Sequence, residues 1–492
     1  MPGFLKFSVY RHRVGGIFFC CLALATTVGL SVSAPAAVAA SLADRIGYLL
    51  RSDPAQLNGA QISISIVQIS HGTAIPLYGY HPNLPLMPGS NGKLLTTSAA
   101  FAKLGPDGVL HTYLYRVGDD LVIVGGGDPA LGDPVLCRQV GWTVTTAFDN
   151  WAAYLKRIGQ THFHDVVVDD HIFNQNFFNR QWPRGQSLDW YEAQVCGLNF
   201  SDNCLNWLPM IQSNGAPGVR IFPSTPYTPV TIQARRGSVQ SVWMYRPPNS
   251  NHFFLRGQIR YSDSNYPLQV TINNPALYTG AVLKQSFLAH GIAISGVVRS
   301  EGLTALAAHK NVRPVLLASY GTPLTDILKR AHIDSFNLMA ECLCKLLGHD
   351  ATGQSGSWAN GTAAVKAYLG TIGVNPALTH MVDGSGLSHH DRVATSAITT
   401  ILAHVATEPH GQVFIDTMAK PGQGTFVNRL TRSPARAFLH VKDGHVTGAS
   451  TLSGYLTLPH ARFAFAIFVN HYRGNVNGWE DQVVNALYNS VR

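Results

Sequence analysis

Apolar residues recur with helical and strand periods at the two ends of this chain, and both ends show the same kinds of element. Over residues 41–50, Leu42, Ile46, Leu49 and Leu50 share one helical face behind Ser41, a residue suited to cap an N-terminus. Ile62, Ile64 and Ile66 alternate with Ser63 and Ser65, the period of a strand with one face turned inward. His71-Gly72 reads as a turn into a second strand over 74–80, and a helical run over 94–104 follows. Near the other end, 438–441, 449–458 and 462–470 read as strands, with turns at Gly444 to Gly448 and at Pro459-His460. Residues 478–491 close the chain as a helix with Val483, Val484, Leu487 and Val491 inward.

This symmetry predicts an α+β fold in which one antiparallel sheet, flanked by helices, is built from both ends. The middle is then a large insertion. Its strand-like runs at 121–124, 166–168 and 268–272 are separated by Gly, Pro and Asn, so one or two mixed or β-rich modules are expected. The boundaries fall near 105 and 311: residues 40–105 and 312–492 form the two parts of the outer domain, and 106–311 the insertion. No repeat of fixed period is present.

Only 13% of the 492 residues are charged, and the net charge is +9; about 25% charged residues is usual. No long run of Lys or Arg carries that charge, which argues against a nucleic-acid partner. Lys6, Arg11 and Arg13 precede an apolar stretch over 15–30 and a small-x-small site, Ala37-Val38-Ala39, so residues 1–39 read as a signal peptide cut before Ala40. Its removal leaves +6 and a chain expected to be exported, in the periplasm or cell envelope, with at most peripheral membrane contact. Cys20 and Cys21 leave with the leader. Of the five that remain, Cys196 and Cys204 are spaced to bridge a short loop, Cys342 and Cys344 are not, Cys137 completes an odd number, and the set lacks zinc-site spacing.

Three short patterns carry chemistry. Ser90-Asn91-Gly92-Lys93 opens a helical run, and residues three apart share a helix face, so Lys93 can reach the Ser90 hydroxyl and, when neutral, take its proton. Ser-x-Asn occurs at Ser201-Asp202-Asn203 and at Ser335-Phe336-Asn337; the second precedes an amphipathic helix (Leu338, Met339, Cys342, Leu343, Leu346) and is preferred. Lys-x-Gly occurs at Lys103, Lys420 and Lys442; Lys103 lies at a helix end and Pro421 spoils a strand at the second, leaving Lys442-Asp443-Gly444-His445. Two other patterns fail on inspection. Gly92-Lys93 lacks the first Gly and the Ser or Thr of a phosphate loop, and the Gly125-Gly126-Gly127 run is followed by Pro129 and a Gly132-Asp133-Pro134 turn where a dinucleotide site needs a helix.

Ser-x-x-Lys, Ser-x-Asn and Lys-x-Gly in this order resemble the penicillin-recognising serine enzymes. With Leu104-Gly105-Pro106-Asp107, Gly125-Gly126-Gly127-Asp128-Pro129 and Asp383-Gly384-Ser385-Gly386-Leu387-Ser388, the chain is similar to the class C low-molecular-mass penicillin-binding proteins, the D-alanyl-D-alanine carboxypeptidase/endopeptidases. The resemblance implies a β-lactamase/transpeptidase-like domain interrupted by two extra domains, and a serine peptidase that trims peptidoglycan stem peptides and binds β-lactam antibiotics. It implies that Ser90 is acylated, Lys93 is the base, Ser335 relays a proton, Asn337 positions Lys93 and substrate, and Lys442 lowers the Lys93 pKa. Asp443, Gly444 and His445 then face the substrate, with the N–H groups of Ser90 and His445 as oxyanion donors. No cofactor or metal is expected.

One position departs from the pattern. Asp443 stands where Thr is usual, and an ionised carboxylate there repels a substrate carboxylate by up to ~4 kcal/mol at ~4 Å and an effective dielectric of ~20. Asp443 turned toward His445, or a protonated His445, would relieve this, and activity favoured by mildly acidic pH is expected. An impaired peptidoglycan-binding protein is the alternative reading, and an esterase or β-lactamase of the same fold a third. His162 and His164 with Asp169, Asp170 and His171 read as an exposed strand face rather than a metal site, and His389-His390-Asp391 as a solvated loop.

Overall fold

The computed structural model describes residues 33–52, 54–70, 73–263 and 268–492. Its central element is a five-stranded antiparallel sheet in the order Leu439–Val446, Ala449–Leu458, Ala461–Asn470, Gln61–Ser70, Thr73–Tyr80. Both chain ends therefore build it: Gln61 pairs with Asn470 and Ile69 with Arg462. Ile62, Ile64 and Ile66 pack with Phe465, Ile467 and Val469 beneath Leu42 and Ile46 of the Ser33–Ser52 helix and Val483 and Leu487 of the Asn477–Val491 helix. The intervening Ser63 and Ser65 are buried as well, their hydroxyls 2.7 and 2.8 Å from Thr395 and Thr399 of the Thr395–Thr407 helix. A covered sheet has no solvated face, so its polar alternates must find partners inside.

Several boundaries differ from the sequence pattern. The first helix starts at Ser33 and runs through Ser41, which is thus no N-cap. The edge strand expected to end at 441 continues to Val446, because Lys442 to His445 pair with Ser453 to Ser450. A ladder neighbour holds this polar stretch where no apolar period marks it. Gly444 is therefore a strand residue, and the turn falls at Thr447-Gly448 (φ +83° at Gly448). The leader's basic and apolar parts, Cys20, Cys21 and the His71-Gly72 turn lie outside the described residues. Among those residues, no helix is long and apolar enough to cross a membrane.

The inserted region is rich in strands, as expected, and carries helices among them. A mixed five-stranded sheet, ordered Val298–Ser300, Val166–Asp169, Asp120–Gly125, Val109–Val117, Val315–Pro323, is covered by the Thr146–Arg157 and Pro275–Ala289 helices. Phe148, Trp151, Tyr278 and Phe287 supply that contact. The last of these strands pairs with Val109–Val117, so the inserted sheet extends beyond residue 311. A three-stranded sheet (Leu268–Thr271, Cys204–Ile211, Pro217–Phe222) and a smaller sheet around Phe253–Ile259 complete the region. Asp133 caps a short helix, Pro134–Gln139, in place of a simple turn.

The Cys196–Cys204 bridge does not form; Cys137, Cys196, Cys204, Cys342 and Cys344 are all free and buried. Cys204 begins a strand, and the Cys196 thiol donates to Asp170 Oδ2 at 3.1 Å. The insertion is fastened to the outer domain by Arg330, 4% exposed, whose guanidinium meets Asp133 (2.7 Å), Asp202 (3.5 Å) and Asp334 (2.5 Å).

Candidate active site

Ser90 lies in a 3₁₀ turn, Gly89–Gly92, that leads into the Lys93–Leu104 helix. Residues 93–101 of that helix are buried on every side, so Lys93, at its first position, is fully enclosed. Lys93 Nζ is 2.8 Å from Ser90 Oγ, 2.6 Å from Asn337 Oδ1 and 3.3 Å from the Ser385 carbonyl. A neutral amine has two N–H bonds and one lone pair. Donating to Asn337 and Ser385 leaves the lone pair facing the Ser90 hydroxyl, the arrangement a general base requires. Burial first, then the Lys442 charge, holds Lys93 well below the usual lysine range, with Glu341, Asp383 and Asp443 opposing in part.

Asn337 begins the Asn337–Thr352 helix, and its Nδ2 donates to the Tyr191 carbonyl at 2.9 Å, which fixes the orientation of its amide. Ser335 sits between two helices with φ +58°, a left-handed conformation that is strained for serine. Its Oγ accepts from Lys442 Nζ at 2.9 Å. Lys442 also donates to the Asp443 carbonyl (2.6 Å) and to Asp443 Oδ1 (3.2 Å), which takes a further bond from the Thr425 hydroxyl (2.8 Å). Burial lowers the Lys442 pKa, and Asp443 offsets part of that. Burial raises the Asp443 pKa, but Lys442 and Thr425 outweigh it and hold the carboxyl below its ordinary value. Asp443 is thus ionised and turned toward Lys442 and Thr425, not toward His445. His445 Nδ1 instead lies 3.4 Å from the Tyr472 hydroxyl.

The edge strand presses directly on the nucleophile turn. A Cβ on Gly444 would stand 2.7 Å from Ser90 N, 2.7 Å from the Pro88 carbonyl and 2.3 Å from Thr451 Oγ1, so only glycine fits. Thr451 Oγ1 donates to Pro88 O (2.7 Å) and accepts from Asn91 Nδ2 (2.6 Å), locking turn to sheet. Val441 exchanges both backbone bonds with Ala419, on the side away from Ala449–Leu458. By the two-residue period, the N–H of His445 also faces that open side.

These groups border a cleft of about 410 Å³. Ser90, Ser335, Asn337, Asp443 and His445 line it, whereas Gly444 does not; Gly444 sits behind the nucleophile rather than against a ligand. Trp190 and Tyr191 of the inserted region form another wall, with Trp190 stacked on Phe336 at 5.0 Å. Neither they nor Thr425 belong to a motif, so the sequence offered no signal for them. His389 lines the cleft, and Asp391 is buried and accepts from Val382 N–H at 2.7 Å, so this segment is no solvated loop. Glu341, fully buried, accepts from the N–H groups of Gly384 and Ser385, and Asp383 from those of Gly386 and Ser388; together they shape the loop that holds the Ser385 carbonyl.

The competing patterns lie elsewhere. Ser201 and Asn203 are buried, with Asn203 bonded to Asn199 and Gln194, and Lys103 and Lys420 are exposed. Among the described residues, Asp120, His164 and Asp165 are the one group spaced to hold a metal, but Arg299 pairs with both carboxylates and Lys310 with Asp120. His171 is bonded to Asp169 at 2.8 Å.

The fold resembles that of penicillin binding protein 4 from Haemophilus influenzae, with a TM-score of 0.72, 21% identity, and coverage of 92% of this chain and 99% of that one. In sequence, the chain is 27% identical over 448 residues to the D-alanyl-D-alanine carboxypeptidase of Actinomadura sp. (strain R39), covering 86% of this chain and 80% of the relative. It is 24% identical over 360 residues to the D-alanyl-D-alanine carboxypeptidase DacB of Haemophilus influenzae, covering 69% and 71%. The model of the D-Ala-D-Ala carboxypeptidase 3 (S13) family matches residues 43–489, and the chain accordingly belongs to that family of peptidases.

Proposed function

We propose that this protein is a serine-type D-Ala-D-Ala carboxypeptidase in which Ser90 is acylated by peptidoglycan stem peptides and by β-lactams. The observation that carries this reading is the three-partner setting of Lys93 Nζ, with its lone pair free for the Ser90 proton. Ser90 Oγ attacks the carbonyl carbon of the penultimate D-alanine as Lys93 takes the hydroxyl proton. The N–H groups of Ser90 and His445 receive the oxyanion. As the C–N bond breaks, the proton taken by Lys93 passes by way of Ser335, which is bonded to Lys442, to the departing amine of the last D-alanine, and Lys93 is neutral again. Water, deprotonated by Lys93, then cleaves the ester and restores Ser90.

Asn337 holds Lys93 in place, and Trp190 and Tyr191 border the path of the peptide. In this reading the outer domain carries the chemistry, the inserted region supplies one wall, and the leader is cut before Ala40 to leave the enzyme in the periplasm or cell envelope. The Lys442 and Thr425 contacts neutralise much of the Asp443 charge, which weighs against an impaired binding protein.

The test is intact mass of the purified protein before and after incubation with a fluorescent penicillin. One adduct per chain, lost in Ser90→Ala, and release of D-alanine from a pentapeptide are expected. A folded wild-type protein that forms no adduct and releases no D-alanine would overturn the proposal.

A further inference from the structure

The net charge of this protein is concentrated in one small module far along the inserted region. Residues 204–271 contain six arginines, no lysine and one acid, Asp263, for a net charge of +5. Residues 40–492 carry +6, so nearly all of their excess lies in these 68 positions. Arg246 is buried and bonded to the Thr271 and Ile272 carbonyls, whereas Arg220, Arg235, Arg236 and Arg260 are exposed and Arg256 partly so. Among the described residues, the lysine and arginine ion pairs are made by Lys310, Lys329, Lys442, Arg299, Arg330 and Arg429, not by these five.

The sheet geometry gathers several of these groups on one face. Phe253–Ile259 is the central strand, flanked by Ser241–Tyr245 on one side and by Val230–Ile232 and Arg235–Arg236 on the other. Trp243 stands opposite Arg256, Tyr245 opposite Phe254, and Arg235 opposite Gln258. Paired residues share a face, so these six lie together. The reverse face carries Met244, Phe253, Leu255 and Ile259 into the core.

The open face is built rather than incidental. The Arg256 guanidinium lies 4.6 Å from the Tyr245 ring and 5.8 Å from that of Phe254, and its Nε donates to Gln233 Oε1 at 3.0 Å. The His252 ring stacks on Phe254 at 4.5 Å. Trp243 is 52% exposed, yet its indole is seated: Gly257 has φ +97°, and a Cβ there would fall 2.8 Å from Trp243 Cζ3. A fixed, half-exposed indole beside stacked guanidinium is a recognition surface, not a folding requirement.

We propose that this face binds an acidic polysaccharide, a sugar chain bearing carboxylates. The indole offers a flat apolar platform for the C–H face of a pyranose ring. The arginines match carboxylates in bidentate fashion, and Thr231, Ser241 and Gln258 offer hydroxyl and amide groups to sugar hydroxyls. A single-stranded nucleic acid fits less well: it uses a run of exposed aromatic faces along a basic groove, and of the three ring-bearing residues Trp243, Tyr245 and Phe254 on this face only Trp243 is half-exposed.

The full chain is titrated with polygalacturonate, following tryptophan fluorescence and co-sedimentation, with dextran as the neutral polymer and polyadenylate as the nucleic acid. Saturable binding to polygalacturonate at about 50 mM salt, weakened at least ~10-fold at about 200 mM, is expected. Arg235→Ala/Arg256→Ala and, separately, Trp243→Ser each cut the affinity by ~10-fold or more while the thermal midpoint is kept. The salt response of the wild type needs no variant and tests the idea even if one variant misfolds. No binding at low salt, equal binding of dextran, tighter binding of polyadenylate, or well-folded variants that bind like the wild type would each overturn it.

Discussion

Asp443 Oδ1 lies 3.2 Å from Lys442 Nζ although the two residues are neighbours on one strand, where successive side chains point to opposite faces. The long lysine stem curls around the sheet edge to reach both the carbonyl and the carboxylate of the next residue. Asp443 thereby occupies a cation that would otherwise be open to a substrate carboxylate. Replacing Asp443 with Thr should speed acylation by a penicillin, which carries a carboxylate, by ~10-fold, equivalent to ~1.4 kcal/mol of removed repulsion. Stopped-flow acylation of the two proteins measures this; an unchanged or slower rate would show that Asp443 does not oppose the ligand.

The pH dependence follows from Lys93. Its neutral form is the base, and burial and Lys442 lower its pKa. The acylation rate should therefore fall as pH drops through that lowered value and level off above it, which reverses the acid preference expected from Asp443 and His445 in the sequence. Lys442→Met removes the neighbouring cation, so the Lys93 pKa rises and the ascending limb moves to higher pH. Single-turnover rates from pH 5 to 10 on both proteins give the comparison. A limb that stays in place would place the cause of the shift elsewhere.

Gly444→Ala would force a Cβ to within 2.7 Å of Ser90 N and the Pro88 carbonyl. The Pro88 carbonyl and Thr451 Oγ1, which a Cβ there would also crowd, are held by other bonds, so the edge strand must move. A stability loss of ~1–3 kcal/mol is expected, with acylation reduced by ~100-fold, or about 2.7 kcal/mol, because the His445 N–H leaves its place. Thermal unfolding and adduct formation report the two effects separately.

Arg330→Met should lower stability by ~3–5 kcal/mol, since it strands the buried carboxylates of Asp133 and Asp202 without a cation. Asp334 loses its partner as well, one position before Ser335, so acylation should also fall. Thermal denaturation, with a midpoint lowered by several degrees, is the measure.

The sequence made the outer sheet readable because its apolar positions repeat with a clear period. Ile62, Ile64 and Ile66, and the valines of the last helix, fall where the pattern puts them. The edge strand was misjudged at Lys442 to His445, where polar residues serve the cleft and the ladder partner supplies the order. Ser90, Lys93, Ser335, Asn337 and Lys442 were legible as spaced motifs, and the structure brings them together as two bonded groups at one cleft, Ser90–Lys93–Asn337 and Ser335–Lys442. Trp190, Tyr191 and Thr425 were not, since they arrive from loops whose place depends on packing between distant segments. The insertion was legible as mixed or β-rich, but its helices over 146–157 and 275–289 were not placed, because short valine runs such as 166–168 carry the clearer period.

The hydroxyl of Thr451 joins the Ser90 turn to a strand 360 positions later than Asn91. Chain order therefore acts as a safety catch. A polypeptide still leaving the ribosome already displays Ser90 and Lys93, but lacks the strand whose Gly444 packs behind the Ser90 turn. The Ser90 turn gains its second wall only when the final hairpin zips onto Gln61–Ser70, so a chain clipped before residue 439 would lack both Gly444 and the His445 N–H.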